Sequence, residues 1–197
     1  MSQDKRLYII SGCNGAGKTT ASFNILPDLL NCKEFVNADE IARGLSPFRP
    51  EKVSIEADRL MLKRIEELIN SNQDFSFETT LSTKSFINTI EKAMSKGYYV
   101  TLIFFWLESV ELAKDRVQKR VIEGVHNIEP DVIERRYKAG IKNLFHLYSN
   151  RVDSLLIFDN SKPESELIAE KEIENESFTV HNSQKFNKLK IISDEQQ

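Results

Sequence analysis

A phosphate-binding motif near the start of the chain constrains the fold more than any other feature. Residues Gly12 to Thr19 read GCNGAGKT and match the pattern G-x-x-x-x-G-K-[ST] at every fixed position. Glycines let the backbone turn tightly and point its N–H groups at an anion, the lysine brings positive charge to the β- and γ-phosphates, and the threonine hydroxyl can ligate Mg²⁺. An apolar strand, Leu7–Ile10, precedes the motif and a helical stretch follows it. The sequence therefore predicts a site for ATP or GTP with Mg²⁺, and its candidate ligands are Gly12, Asn14, Gly15, Ala16, Gly17, Lys18, Thr19 and Thr20.

Two acidic residues follow short predicted strands. Glu34–Val36 leads to Asp39, and Phe75–Phe77 leads to Glu78. Because ligands of open α/β sheets bind at the carboxyl ends of strands, both carboxylates are placed where chemistry occurs. Glu78 can act on Mg²⁺ through water or hold a substrate hydroxyl. The alternative for the first site is that Asn37 or Asp39 only caps the helix that begins at Glu40. The alternative for Glu78 is likewise a cap at the entry of the next helix.

A basic segment follows the longest apolar strand. Arg116 and Arg120 lie one turn apart on a predicted helix, and Arg136 belongs to the next helix, beyond a loop that contains His126. This helix–loop–helix, about residues 116–142, can form a lid that brings cations to a migrating phosphoryl group. Interspersed glutamates equally fit a solvated charged face, and His126 can either donate to a phosphate or cap the loop.

The alternation of strands and helices predicts a three-layer α/β fold with one parallel sheet. The apolar run Tyr98–Leu107 is typical of a strand that is covered on both faces. Leu167–Ala169 and Phe178–Val180 predict a β-hairpin within a C-terminal region of about residues 162–197. We expect one domain over residues 1–197.

The composition of the chain bears on which classes of binding partner are expected. A net charge of −3 gives no general reason to expect nucleic-acid binding, although a local basic groove over 116–142 stays open as an alternative. The longest apolar run is too short to span a bilayer, so we expect no membrane partner. Two cysteines and the early position of the phosphate motif favour a cytoplasmic protein without a cleaved signal.

The order of motifs between Leu7 and Ser161 resembles that of the zeta-toxin-like P-loop kinases. The segments that carry this resemblance are CNGAGKTT, FVNADEIARGLSP, FSFETTLS, GYYVTLIFFWLESVELAKDRVQKRV, GVHNIEPDVIERRY and IFDNS. The resemblance implies a kinase core with a five-stranded parallel sheet and a helical lid. Founding members of that family phosphorylate a sugar hydroxyl of UDP-N-acetylglucosamine, and family members occur with antitoxin partners.

The resemblance also implies roles for individual residues. Lys18 and Thr19 would hold ATP and Mg²⁺, and Asp39 would be the general base for the acceptor hydroxyl. Glu78 and Thr80 match the Glu-x-Thr that holds the substrate near the metal, and Arg120 matches the first lid arginine. The second lid arginine has no direct counterpart, since His126 stands near its place and Arg136 lies further along.

We therefore predict an ATP-dependent phosphotransferase that acts on a hydroxyl of a small molecule, with UDP-N-acetylglucosamine as the acceptor that the resemblance suggests. Two alternatives stay open. One is a P-loop ATPase or kinase for another nucleotide or a nucleic-acid end. The other is an ATP-gated binding module of a toxin–antitoxin pair.

Overall fold

The computed structural model describes residues 5–27, 30–122, 128–175 and 177–195, which form one β-sheet flanked by helices. The strands are β1 Lys5–Gly12, β2 Phe35–Val36, β3 Phe75–Thr79, β4 Tyr98–Trp106, β5 Ser154–Asp159, β6 Glu166–Glu172 and β7 Thr179–Val180. The helices are α1 Lys18–Ile25, α2 Ala38–Leu45, α3 Ser54–Asn70, α4 Ile87–Ser95, α5 Val110–Ile122, α6 Pro130–Asn143 and α7 Ser183–Asp194. A 3₁₀ helix over Pro50–Val53 precedes α3, and a π-helical segment over Leu144–Tyr148 follows α6.

The centre of the sheet is parallel, as the sequence predicts. The strands lie in the order β2-β3-β1-β4-β5-β6-β7, and the first five in that order pair in parallel. Consecutive residues such as Ile9 and Ile10, or Ile103 and Phe104, are all buried. Since successive side chains of a strand point to opposite faces, both faces of the central strands are covered. The predicted α/β fold with a mostly parallel sheet is therefore confirmed.

The prediction of a five-stranded sheet is wrong, because the sheet has seven strands. The predicted C-terminal hairpin forms, but β6 pairs antiparallel with β5, and β7 pairs antiparallel with β6. Ile168 and Ala169 of β6 are fully buried. The hairpin therefore covers the edge that β5 would otherwise expose, which is a common way to protect an edge strand.

A second difference concerns the segment after β3. The sequence favours a helix that begins at Ser82 or Thr83, whereas α4 begins at Ile87. Asn143 Nδ2 donates to the Leu81 carbonyl (2.8 Å), and the Tyr148 hydroxyl donates to the Thr83 carbonyl (2.7 Å). These contacts from α6 and the π-helical segment satisfy backbone carbonyl groups outside a helix. Residues 83–86 therefore form bends and a turn before α4 begins.

Helices α5 and α6 occupy the region of the predicted lid, and a closing motion of this region stays a prediction. The Tyr137 hydroxyl of α6 donates to the Leu107 carbonyl (2.8 Å) and accepts from Trp106 Nε1 (2.9 Å), so α6 is anchored on the end of β4. Residues 123–127, and with them His126, lie outside the described residues. None of the helices in the described part of the chain has the length and apolar character needed to cross a bilayer.

Candidate functional site

The phosphate motif forms a tight loop between the end of β1 and the start of α1. A Cβ atom on Gly12 would lie 2.2 Å from the Phe105 carbonyl oxygen of the neighbouring strand, and Gly12 has a φ of +139°. Gly17 has a φ of +80° and precedes α1 as its N-cap residue. Only glycine satisfies both positions without strain, so the loop backbone can follow β4 closely and open into the helix. The N–H groups at the start of α1 can then face an anion.

Lys18 and Glu78 form a buried ion pair beside this loop. Their side chains are 7% and 9% exposed, and Lys18 Nζ lies 3.4 Å from Glu78 Oε1. Lys18 Nζ also donates to the Cys13 carbonyl at 2.9 Å. The Thr19 hydroxyl donates to Glu78 Oε2 at 2.7 Å. The lysine and threonine of the motif therefore meet the carboxylate at the end of β3.

Asn37, which lies between β2 and α2, also belongs to this cluster. Its Nδ2 donates to Glu78 Oε2 at 2.9 Å, and its Oδ1 accepts from the backbone N–H of Asp39 at 2.8 Å. Asn37 is therefore the N-cap of α2, and Asp39 lies in the first turn with an exposed side chain. Of the two candidate caps, the structure therefore shows Asn37 in that role and not Asp39. Glu78 lies within β3, so it is not a helix cap either.

Two clefts meet at the Lys18–Glu78 pair. The first has a volume of about 290 Å³, and the second has about 410 Å³. The first is lined by Gly15, Gly17, Lys18, Thr19, Thr20, Glu78, Arg116, Lys119 and Arg120. The second is lined by Asn14, Lys18, Asn37, Ala38, Asp39, Asp58, Met61, Leu62, Glu78, Thr79, Thr80, Ser82, Thr83, Ser85, Phe86 and Arg136. The two clefts therefore share Lys18 and Glu78 in their linings, so ligands bound in both clefts would contact the same two residues.

The structure distributes the remaining predicted site residues between these clefts. Arg120 lines the first cleft, and Asp39, Thr80 and Arg136 line the second. Arg136 donates to the buried Asn14 Oδ1 at 3.1 Å, so α6 contacts the phosphate loop directly. The Thr80 hydroxyl is hydrogen-bonded to the Ser82 hydroxyl at 2.8 Å. Of the predicted set, only His126 falls outside the described residues.

Asp58 is a cleft residue that sequence reasoning missed. Partial loss of solvent around its carboxyl group and the nearby Asp39 carboxylate raise the pKa of Asp58, while the Arg136 guanidinium lowers it. Asp58, Asp39 and Arg136 all line the second cleft. A signal was available, since Asp58, Met61 and Leu62 share one face of α3 at spacings of three and four.

The segment after β5 was also missed as part of the site. Asn160 Nδ2 donates to the Ala16 carbonyl in the phosphate loop at 2.6 Å. Arg116 donates to the carbonyls of Asn160 (2.9 Å) and Ser161 (2.8 Å). The signal for this contact was the position of Asn160 at the carboxyl end of a parallel strand, the same kind of place that marked Asp39 and Glu78.

Cys13 belongs to the phosphate loop, and its side chain is buried. Burial raises the pKa of its thiol to about 11, against the opposing effect of the Lys18 charge. Its carbonyl holds Lys18, as described above, while its side chain belongs to the apolar core. Cys13 therefore acts here through its backbone and through packing.

Similar proteins share this fold. An uncharacterized protein of Haemophilus influenzae (strain ATCC 51907 / DSM 11121 / KW20 / Rd) is 32% identical over 136 residues, which cover 68% of this chain and 94% of that protein. The solved complex AvrRxo1-ORF1:AvrRxo1-ORF2 with sulphate ions matches with a TM-score of 0.77 at 19% identity, and the same complex with ATP matches with 0.75 at 19% identity. Each match covers 95% of this chain and 64% of that chain, so this chain spans less than two thirds of its solved counterpart.

A structure from the PezAT chromosomal toxin–antitoxin system of Streptococcus pneumoniae matches with a TM-score of 0.67 at 15% identity, over 98% of this chain and 86% of that chain. At such identities the likeness to solved structures shows the fold. The family is shown by sequence. The sequence model described as Zeta toxin matches residues 1–172, and this chain therefore belongs to the Zeta toxin family.

Proposed function

We propose that this chain is an ATP-dependent phosphotransferase that moves the γ-phosphate of ATP to a hydroxyl group of a small molecule. The observation that carries this proposal is the wall that the two clefts share, the buried pair of Lys18 and Glu78. A triphosphate that lies on the phosphate loop in the first cleft would end beside this wall. A hydroxyl compound in the second cleft would approach the same point from the other side, as transfer without release to water requires.

The residues of the first cleft fit ATP and Mg²⁺. A Cβ atom on Gly12 would clash with the Phe105 carbonyl oxygen, and one on Gly17 with Asn160 Nδ2, so the loop conformation depends on both glycines. Gly17 and Lys18 line the first cleft. Thr19 and Glu78 offer a hydroxyl and a carboxylate, which are the oxygen donors that Mg²⁺ prefers. Bound Mg²⁺ would neutralise charge on the terminal phosphates. The solved complex with ATP, which shares the fold, supports this assignment, and GTP stays an alternative to ATP.

Five of the predicted site residues have the following roles in this proposal. Asp39 takes the proton of the acceptor hydroxyl as the new oxygen–phosphorus bond forms and ADP leaves. Glu78 and Thr80 hold the acceptor at the junction of the clefts. Arg120 and Arg136 stabilise the charge that spreads over the transferred phosphoryl group. The exposure of the Asp39 side chain agrees with a base that must reach an incoming substrate.

The lining of the second cleft suggests a polyhydroxylated acceptor. Five residues with hydroxyl side chains line it: Thr79, Thr80, Ser82, Thr83 and Ser85. UDP-N-acetylglucosamine is the acceptor that the family suggests. Its diphosphate would have to lie near Arg136, which with Lys18 supplies the positive charge among the described residues that line this cleft, and near the carboxylates of Asp39 and Asp58. Because these carboxylates would repel a diphosphate, free sugars and amino sugars are tested as acceptors alongside UDP-N-acetylglucosamine.

The experiment is an acceptor screen with γ-labelled ATP and the whole chain. UDP-N-acetylglucosamine, free sugars, amino sugars, nucleosides and RNA 5′ ends are offered separately, and ADP release and label transfer are measured. We expect label on one hydroxyl compound and ADP release that depends on it, with both lost in Lys18→Met. ATP binding without acceptor-dependent ADP release would instead favour the binding-module alternative. An antitoxin partner, suggested by the toxin–antitoxin system of the PezAT structure, belongs to that alternative as well.

A further inference from the structure

The C-terminal helix α7 lies outside the segment that matches the Zeta toxin family. The match ends at residue 172, and α7 spans Ser183–Asp194. A chain of hydrogen bonds nevertheless leads from this helix to the phosphate loop. We propose that α7 positions the phosphate loop through Lys185 and Asp159, so that Lys185 is a positioning residue of the nucleotide site.

The first link joins Lys185 to the end of β5. Lys185 Nζ lies 2.5 Å from Asp159 Oδ2, and the Asp159 side chain is only 3% exposed. Lys185 also donates to Glu166 Oε2 of β6 at 2.6 Å. Burial alone would raise the pKa of Asp159, but hydrogen bonds from Lys185 and Ser161 outweigh it and lower the pKa below its ordinary value. Asp159 is therefore held as a buried carboxylate whose charge is matched by α7.

The second link joins Asp159 to the turn that follows it. Asp159 Oδ1 accepts from the Ser161 hydroxyl at 2.5 Å and from the Ser161 backbone N–H at 2.8 Å. The Ser161 hydroxyl oxygen accepts in turn from the N–H of Glu108, after β4. These bonds fix the direction in which the chain leaves β5, and they set the position of Asn160.

The third link reaches the phosphate loop. The Asn160 side chain donates to the Ala16 carbonyl at 2.6 Å, and a Cβ atom on Gly17 would lie 2.6 Å from Asn160 Nδ2. Asn160 therefore packs directly on the two residues before Lys18. Its Oδ1 accepts from the Ser165 hydroxyl at 2.6 Å, so the amide is held on both sides.

The same turn also holds a cation of the first cleft. Arg116 reaches this cleft while its guanidinium donates to the carbonyls of Asn160 and Ser161. A shift of the turn after β5 would therefore move Arg116 together with the loop backbone. Two parts of the nucleotide site depend on one turn, and that turn depends on the Asp159 carboxylate.

The packing of α7 does not rest on Lys185. Leu189 is fully buried, and Phe186 contacts Phe145 and Phe178 with ring centroids 5.9 and 5.1 Å apart. Lys190 lies over the Phe145 ring at 4.4 Å, on the same helix but away from Asp159. Lys190→Met is therefore a matched control, because it also removes a lysine contact of α7 and leaves the Asp159 link in place.

The test compares Lys185→Met, Lys185→Arg, Asn160→Ala and Lys190→Met in the full chain. Amide hydrogen exchange is followed at Ala16 and Ser161 in the free protein, and ATP affinity is measured by calorimetry. Loss of a hydrogen bond between charged groups predicts exchange about tenfold faster and ATP affinity about tenfold weaker in Lys185→Met. Lys185→Arg should keep both within about twofold of the wild type, as should Lys190→Met.

The double variant Lys185→Met/Asn160→Ala provides a further check. Because both residues act through the turn after β5, the loss of ATP affinity in the double variant should be smaller than the sum of the two single losses. Strictly additive losses would contradict the link. The proposal would be overturned if Lys185→Met had the same amide exchange rates at Ala16 and Ser161, and the same ATP affinity, as Lys190→Met. The affinity measurement rests on the proposed function, whereas the exchange measurement does not. A wild-type chain that fails to bind ATP would therefore count against the proposed function, and exchange at Ala16 would still decide the role of α7.

Discussion

The carboxylate of Glu78 offers the sharpest test of the site, because three site residues converge on it. In Glu78→Gln the side chain keeps its shape, and its carbonyl can still accept from Thr19 and Asn37. The ion pair with Lys18 is lost, and an amide nitrogen would face the ammonium group instead. The substitution therefore isolates one electrostatic contact of a buried cluster.

The size of the effect follows from the distance. Two unit charges 3.4 Å apart attract by about 5 kcal/mol at an effective dielectric constant of 20. Burial of the carboxylate in the native protein offsets part of this, and Lys18 can turn toward the cleft in the variant. We therefore expect a net loss of about 2 kcal/mol in the free energy of unfolding. For a chain of this length the melting temperature should fall by roughly 4 to 8 °C.

The same variant should change how ATP binding depends on Mg²⁺. Without Mg²⁺ the Glu78 carboxylate repels the triphosphate and competes for Lys18, so Glu78→Gln should bind free ATP at least as tightly as the wild type. In the proposed function the carboxylate would support bound Mg²⁺, so the gain in ATP affinity on adding Mg²⁺ should be smaller in Glu78→Gln. Calorimetric titration of ATP with and without Mg²⁺, together with thermal unfolding of the free protein, measures both effects.

Glu66→Gln is the matched control, because Glu66 is paired with Lys92 at an exposed position on α3. It should leave the melting temperature and the Mg²⁺ dependence unchanged, since exposed ion pairs contribute little to stability. The reasoning would be refuted if Glu78→Gln melted with the wild type and showed the same response to Mg²⁺.

Three further predictions concern stability and reactivity. Tyr137→Phe leaves the buried Trp106 Nε1–H and the Leu107 carbonyl without a partner, and urea unfolding should show a loss of about 1–3 kcal/mol; an unchanged midpoint would contradict this. Because burial raises the pKa of Cys13 to about 11, its thiol should react with iodoacetamide at pH 7.5 far more slowly than a free cysteine. The extent of labelling is followed by mass spectrometry. Rapid labelling of the native protein would show that the Cys13 thiol is not buried in this way. The pKa of Asp159 is lowered on folding, so its contribution to stability is complete above the unfolded pKa and is lost as the pH falls through the folded pKa. The stability difference between wild type and Asp159→Asn should therefore be constant from pH 8 to about pH 5 and shrink below about pH 4, and a difference that grows toward acid would contradict it.

Local patterns predicted the parts of the fold and site that depend on neighbouring residues. The phosphate loop follows from Gly12 and Gly17, whose positions no side chain could occupy without strain. The parallel strands follow from apolar runs, and Asp39 and Glu78 from their places at strand ends. All of these features are set within a few residues of the chain, so one sequence is enough to find them.

Contacts between distant segments could not be predicted in the same way. Asn160 and Ala16 are 144 residues apart, and Arg136 and Asn14 are 122 residues apart. Neither pair leaves a periodic signal, because each contact depends on how whole elements pack. The late start of α4 has the same origin, since carbonyl groups before it are bonded by side chains from a later part of the chain. The pairing of the hairpin with β5 was missed because strand pairing depends on which edge the completed sheet leaves open.

The central claim is that Asp39 takes a proton from an acceptor hydroxyl beside a triphosphate that Lys18 holds. Single-turnover transfer from labelled ATP, measured together with the dissociation constant of ATP, tests this claim in Asp39→Asn, with Asp58→Asn as the neighbouring carboxylate control. We expect Asp39→Asn to transfer phosphate at least about 100-fold more slowly while its ATP affinity stays within about twofold, and Asp58→Asn to lose less than about tenfold in rate. Wild-type transfer by Asp39→Asn would contradict the account.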